Sequence, residues 1–280
     1  MSIAGSETVA ERLAARASEV RAEALPGPVR ATAERLLLDV VGLCVAARGT
    51  DYMHALRASV DAGGACTAIG QPQAYSAEDA AMLNGTAAHG EDFDDTFEGG
   101  PVHSGAVIVP AVLAACERFR RGGPDALRGI AVGVEALCRM SLVRPKAIHQ
   151  AGFHPTAVLG AMAAPLAVAS ALGASPRAMV DAMGIAGSMA GGIIEYLAEG
   201  AWTKRLHAGW AARIGVHAAR MGMAEFLGPR TVFEGTHGMF NGFAHAADGD
   251  YAALLDGFGE RWRLLDLTFK PYATGPMNQP

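Results

Sequence analysis

Aromatic residues make up only 6% of this 280-residue chain, and charged residues only 18%. With 51% hydrophobic residues beside so little charge, the composition excludes a disordered chain and supplies the apolar side chains of a large core. Basic residues are not in excess either: 23 Lys and Arg face 28 Asp and Glu, a formal net charge of −5. A general nucleic-acid binder needs a basic face to neutralise phosphates, so no nucleic-acid partner is expected. Cysteines are few and widely spaced (Cys44, Cys66, Cys116, Cys138), with no CxxC pair. That argues against a zinc site or a disulfide framework and for buried free thiols. Residues 1–19 carry charges throughout and lack the apolar run of a secretory signal, so a cytoplasmic location is expected. Strand patterns do not alternate with helices and no GxGxxG occurs, which excludes a Rossmann domain.

What is present is alanine, leucine, valine and 35 glycines, a helix-rich composition with many stops. Apolar periodicity and caps predict helices over Glu7–Val20, Pro28–Arg48, Ser76 through the Asn84–His89 region, Ala106–Phe119, Asp125–Leu142, Ser175-Pro176 toward Met183, and His207–Phe226. Two short strands are expected, within Cys66–Gly70 and Trp262–Phe269. Between Lys146 and Arg177 there is no Asp, Glu, Lys or Arg. The stretch imitates a membrane span, but its histidines, its prolines and its reliance on alanine favour a buried core helix, so no membrane partner is expected. The fold class expected is all-α, a multi-helix domain with an Ala/Gly-rich core.

In so apolar a chain, dense polar islands beside glycines are the informative places. The first is His89-Gly90-Glu91-Asp92-Phe93-Asp94-Asp95-Thr96, followed by His103-Ser104-Gly105. Its crowded carboxylates repel one another unless they are solvated, capping or paired with cations. A solvated capping loop and a metal site on His89, Asp92 and His103 are both readings of it. The second is Gly152-Phe153-His154-Pro155-Thr156, where a histidine opens the long uncharged helix. It reads as a capping or core histidine, or as a general base whose pKa is lowered by apolar neighbours and the helix N-terminus. The third is Glu199 to Gly209, in which Lys204 and Arg205 precede a long helix. They are a surface pair or an anion site, arginine supplying a carboxylate fork and lysine a point charge.

Taken in order, Asn84-Gly85…His89…Asp92-Phe93-Asp94-Asp95-Thr96…His103-Ser104-Gly105, Gly152–Thr156, Gly184-Ile185-Ala186-Gly187-Ser188, Thr203-Lys204-Arg205-Leu206-His207-Ala208-Gly209, Phe233-Glu234-Gly235 and Phe269-Lys270-Pro271-Tyr272 resemble the MmgE/PrpD family. The family includes methylcitrate dehydratase, cis-aconitate decarboxylase and iminodisuccinate epimerase. The resemblance implies a homodimeric enzyme, without metal or other cofactor, that moves a proton at a carbon beside a carboxylate of a small polycarboxylate. It places Asp92, Thr96, His103 and His154 in the catalytic set and Lys204 and Lys270 with the substrate; Arg205 is added as a second anchor. One of His103 and His154 would be the base and the other the acid, with Asp92 orienting a histidine and Thr96 donating a hydrogen bond. The expected reaction is dehydration of a methylcitrate-like hydroxy acid. Epimerisation of a dicarboxylate such as iminodisuccinate is the alternative, and a non-catalytic scaffold subunit is the alternative from another class. Some decarboxylases of the family carry a histidine soon after the lysine matching Lys270, and no histidine follows His245 here. Residues 1–268 are expected to form the helical domain and 269–280 to begin a connection to a smaller α+β domain that this sequence lacks. If the site is real, Asp92, His103, His154 and Lys204 must converge, with neighbours on the order of 10 Å apart or less.

Overall fold

The computed structural model of the chain describes residues 7–274. Thirteen α-helices lie among them, with strands of two residues only, so the fold is mostly α. Helix α1 (Val9–Glu19) starts behind Thr8, whose hydroxyl accepts from the Glu11 amide while the Glu11 carboxylate accepts from the Thr8 amide. This reciprocal cap satisfies two amides that a helix start leaves open. α2 (Gly27–Ala47) opens on Pro28 and α3 (Asp51–Arg57) follows. β1 (Cys66–Thr67) and β2 (Ala74–Tyr75) pair antiparallel. α4 (Ala77–Gly90) begins where the Ser76 hydroxyl accepts from the Asp79 amide at 3.0 Å. After β3 (Thr96–Phe97) come α5 (Gly105–Arg118), α6 (Gly123–Val143), α7 (Ala147–Gln150), α8 (Pro155–Leu172) and α9 (Pro176–Gly187). The last is capped by Ser175, with proline in its first turn. α10 (Tyr196–Glu199), α11 (Thr203–Met223), α12 (Met239–Ala244), α13 (Tyr251–Leu255) and β4 (Leu267–Thr268) complete the order.

The uncharged stretch is the hub. Every residue of α8 after Pro155 is buried, and α5, α6, α9 and α11 pack around it. The helix is long and apolar enough to cross a bilayer, with a mean hydropathy of 1.6, yet 94% of it is buried within the fold. Its alanines keep the helix narrow, so neighbours approach closely and bury their own leucines and valines, worth about 1.5–3 kcal/mol each. All four cysteines are buried free thiols.

One crossing fixes the functional end of the molecule. α4 runs against α11 so closely that a Cβ on Gly85 would lie 2.7 Å from the Gly209 Cα. A Cβ on Gly209 would lie 2.2 Å from the Met82 carbonyl oxygen. Only glycine at both positions permits that approach, which sets the last turn of α4 against the first turn of α11. Gly90 at the end of one helix thereby meets Arg205 at the start of the other. At the opposite end of the same pair, Arg213 and Arg220 of α11 hold Asp79 and Glu78 of α4.

The structure corrects several details. α11 starts a turn before His207, because Trp202 rather than Leu206 is its N-cap residue. The Trp262–Phe269 segment is mostly a 3₁₀ turn over Arg263–Asp266, and only Leu267–Thr268 is strand. That strand pairs antiparallel with β3, Thr96 opposite Thr268 and Phe97 opposite Leu267. The short helices α3, α7, α10, α12 and α13 have too few turns to show a period.

Candidate active site

The acidic island folds into a knot between the last turn of α4 and the first turns of α5, α8 and α11. Asp95 supplies the frame. Its carboxylate accepts from the Ser104 amide at 3.1 Å, the Ser104 hydroxyl at 2.8 Å and the Gly105 amide at 2.8 Å, capping α5. Burial and the neighbouring Asp94 charge nevertheless push this carboxyl up to about 7, against the pull of those bonds. His103 is fixed at its backbone and at its ring. Its amide donates to the Thr156 hydroxyl in the first turn of α8 at 3.2 Å, and its Nδ1 lies 2.8 Å from the Asp95 carbonyl oxygen.

That second contact assigns a tautomer. A carbonyl oxygen can only accept, so Nδ1 of His103 carries the proton and Nε2 of the neutral ring keeps its lone pair. Burial, opposed by the Asp94 charge, brings the His103 pKa down to about 4, so the ring is neutral near pH 7. The Thr96 hydroxyl oxygen sits 3.3 Å from the same Nδ1, which leaves the hydroxyl proton of Thr96 free to point elsewhere.

Asp94, with no exposed surface, holds the second histidine. His89 Nδ1 lies 2.7 Å from one of its oxygens, and His103 Nδ1 lies 3.7 Å from the other. Burial alone would raise the Asp94 carboxyl; the charges of His89, His103 and Lys270 instead hold it well below the usual carboxylate range. Asp92 adopts a left-handed backbone, φ 54°, which presents its carboxylate to two lysines. Lys204 Nζ donates to Asp92 Oδ1 at 2.9 Å. Lys270 Nζ donates to the Asp92 carbonyl at 2.9 Å and to Oδ1 at 3.2 Å, and lies 3.6 Å from Asp94 Oδ1. Burial raises the Asp92 carboxyl, but the Lys204 hydrogen bond and charge, with Lys270 behind them, bring it below its ordinary value.

His154 closes the cluster from α8. Its ring stacks on His89 with centroids 5.5 Å apart, and its Nδ1 lies 3.2 Å from Nδ1 of His207. Burial, aided by the charges of the surrounding histidines and Lys204, pulls the His154 pKa well below its ordinary value. Burial and the His89 charge bring His207 down to about 4. Tyr196 packs edge-on against both rings, at 6.1 Å from His154 and 5.7 Å from His207. Beyond them a cavity of about 580 Å³ opens, lined by Tyr196, His207, Trp210, Glu195 and Glu199 among others. His207 thus both lines this cavity and touches His154.

A match to the MmgE/PrpD N-terminal domain covers residues 11–252. The chain belongs to the MmgE/PrpD family. Among curated proteins it is similar to a cis-aconitate decarboxylase of Aspergillus terreus, 30% identical over 276 residues, 92% of this chain and 55% of that protein. A cis-aconitate decarboxylase-like protein of Aspergillus oryzae is 28% identical over 272 residues, 91% of this chain and 56% of that protein. The cis-aconitate decarboxylase of Mus musculus is 28% identical over 257 residues, 89% of this chain and 52% of that protein. The MmgE/PrpD chain described here thus spans about half the length of these relatives.

The structure brings Asp92, Thr96, His103, His154, Lys204 and Lys270 into one network of contacts. Asp92 lies on the lysines rather than on a histidine; the carboxylate that orients histidines is Asp94. Arg205 lies elsewhere. Its Nε donates to the Gly90 carbonyl at 2.8 Å and its guanidinium stacks on Tyr52 at 4.9 Å, in a groove with Leu56, Thr86 and Trp202. It therefore fastens the end of α4, while Lys204 one residue earlier faces the carboxylates. Among the described residues no three His, Cys, Asp or Glu side chains are grouped as a metal ion requires: His89 is turned onto Asp94 and Asp92 onto lysines. Asp94 and His207 were absent from the expected site although both lie in the quoted motifs, and Tyr196 carried no signal at all.

Proposed function

We propose that this site moves a proton at a carbon beside a carboxylate of a small polycarboxylate, in a lyase reaction. The finer proposal is dehydration of a methylcitrate-like hydroxy acid. The observation that carries the reading is the locked tautomer of His103: a buried, neutral imidazole with Nδ1–H on the Asp95 carbonyl and a lone pair on Nε2. A hydrogen beside a carboxylate is weakly acidic, so its removal requires a positioned base and a cation on the developing enolate-like charge. His103 Nε2 is the base. Lys204, about a third exposed and shared with Asp92, is the cation within reach of an incoming carboxylate, which would replace Asp92 as its partner. The Lys204, Lys270, Asp92 and Asp94 charges balance in the free site, and a carboxylate arriving at Lys204 shifts that balance. His154 then donates its proton to the departing hydroxyl, and Thr96 offers its free hydroxyl proton to the substrate.

A second reading, decarboxylation of cis-aconitate, is favoured by the names of the relatives. There a carbon–carbon bond breaks as CO2 leaves, and a proton is delivered to a carbon of the remaining anion rather than taken from one. Incubation with methylcitrate, citrate, cis-aconitate and iminodisuccinate in D2O, followed by NMR, separates the readings. Loss of water from methylcitrate is expected. Release of CO2 from cis-aconitate replaces the dehydratase with the decarboxylase, and deuterium entry without net conversion indicates an epimerase. If none of these acids is converted and none takes up deuterium, the enzymatic reading for this chain ends.

A further inference from the structure

His207 makes no contact with the lysine–carboxylate network, yet it touches the one catalytic candidate whose proton supply the cluster does not explain. His154 is 6% exposed, and its backbone amide donates to the Gly192 carbonyl at 2.8 Å, so it is held inside the fold. His207 is only partly buried and lines the cavity of about 580 Å³. The 3.2 Å contact between the two Nδ1 atoms has a strict consequence. With both rings neutral, a hydrogen bond there uses one proton: one ring has Nδ1–H and the other receives it on a bare Nδ1. A neutral imidazole carries one proton, so the receiving ring is protonated on Nε2 and the donating ring is bare there. The two rings therefore hold opposite tautomers. Tyr196, edge-on to both, and the backbone at Gly192, where an added Cβ would lie 3.3 Å from His207 Nδ1, leave the rings little room to turn.

We propose that His207 is a proton-relay residue, which holds His154 in its Nε2–H form and resupplies that proton from the adjoining cavity. The proposal rests on the reading of His154 as the acid. In the resting pair His207 Nδ1–H donates to His154 Nδ1, so His154 presents Nε2–H to a substrate and His207 presents a bare Nε2 to the cavity. As His154 gives its Nε2 proton to the departing hydroxyl, which leaves as water, His154 Nδ1 takes the shared proton from His207. His207 Nε2 takes one from cavity water. Both rings end neutral with their tautomers exchanged. The proton that His103 Nε2 took from carbon, carried to His154 Nε2 by the released water, drives the reverse movement: His154 Nδ1–H passes back to His207 Nδ1, and His207 Nε2 returns a proton to the cavity water. His207 acts through His154 and positions its proton; it is not assigned a contact with substrate.

The test has two arms. In ¹⁵N-histidine-labelled free protein near pH 7, long-range ¹H–¹⁵N spectra are expected to show His154 as Nε2–H and His207 as Nδ1–H, assigned by the signals lost in His207→Phe. For turnover, His207→Gln is expected to lower kcat roughly ten- to hundredfold, the lower part of what a general acid–base group contributes. KM should stay within about twofold and the circular dichroism spectrum should not change. Added imidazole should restore turnover to His207→Ala, since the cavity leads to the vacated position; a merely structural loss would not respond. His154 found as Nδ1–H, or full kcat in His207→Gln, overturns the relay. The spectra need no substrate. They decide the pairing even if the wild type converts none of the acids, an outcome that counts against the proposed reaction instead.

Discussion

Lys270→Met is the substitution whose cost the structure specifies best. The ammonium group is almost wholly buried, as is Asp94, and it touches the Asp92 carbonyl, the Asp92 carboxylate and Asp94. Methionine keeps much of the volume and removes the charge. Asp94 would then be a buried carboxylate with two histidines as its remaining partners, and Asp92 would keep Lys204 alone. Taking one partner from a buried ion pair costs about 3–5 kcal/mol, because the charge left behind is no longer compensated. At about 2–4 °C per kcal/mol for a chain of this size, the melting temperature should fall by roughly 6–20 °C. The pH dependence gives a second check. The Asp94 carboxyl is held below its unfolded value, so its contribution is present above the ordinary carboxylate range and is lost as pH falls through the folded value. The gap between variant and wild type should be full at pH 7 and narrow below about pH 4, where an ordinary aspartate protonates. Thermal melts followed by circular dichroism at several pH values measure both, and a cycle with Asp94→Asn isolates the pair, with an expected coupling of about 1 kcal/mol or more. A shift under about 2 °C, or no coupling in the cycle, would show that Lys270 is not an internal counter-ion, and the account of the knot would have to be abandoned.

The other predictions are shorter. His154→Ala should leave the far-ultraviolet spectrum unchanged and lower kcat about 10²–10⁴-fold; an active variant removes His154 from the chemistry. Lys204→Met should raise KM roughly 30-fold, about 2 kcal/mol once the partial exposure of the pair is allowed for, whereas a change in melting temperature alone would make the lysine structural. His103 and His207 have folded pKa values of about 4, below the ordinary 6.5. Their unfolded forms therefore bind protons first, and stability present above pH 6.5 should decline steadily down to about pH 4; a melting temperature that is flat across that window contradicts the buried neutral rings. Gly209→Ala should cost about 1–3 kcal/mol by forcing α11 off α4, and it should impair turnover as well, because that contact holds the start of α11, with Lys204, against the Asp92 loop that follows α4; unimpaired turnover would detach the crossing from the site.

The sequence by itself determined what is local. Ser76, Ser175-Pro176 and the glycine stops place helix ends, because a cap satisfies amides within three residues of itself. The uncharged run after His154 had to be buried because nothing on it tolerates water on any face. The ordered motifs gave the family and gathered most of the polar residues of the site. What those residues touch was decided by the tertiary structure. Asp92 and Asp94 are two positions apart, yet the hydrogen bonds of the Asp92 carboxylate come from lysines of α11 and the C-terminal segment and that of Asp94 from His89, with Lys270 as an ion-pair partner of both; the left-handed turn at Asp92 separates them. Lys204 and Arg205 are adjacent, and the turn of α11 sends them to different partners. Lys270 reaches the knot through the pairing of β3 with β4, a contact between residues 96 and 268 that no local period encodes. His207 faces His154 because α11 packs on α8, where Gly215 leaves room for Ala164, a residue 51 positions earlier in the chain. Short-range hydrogen bonds leave a mark on spacing; a long-range contact depends on where whole helices settle, and that is fixed by the packing of the entire core.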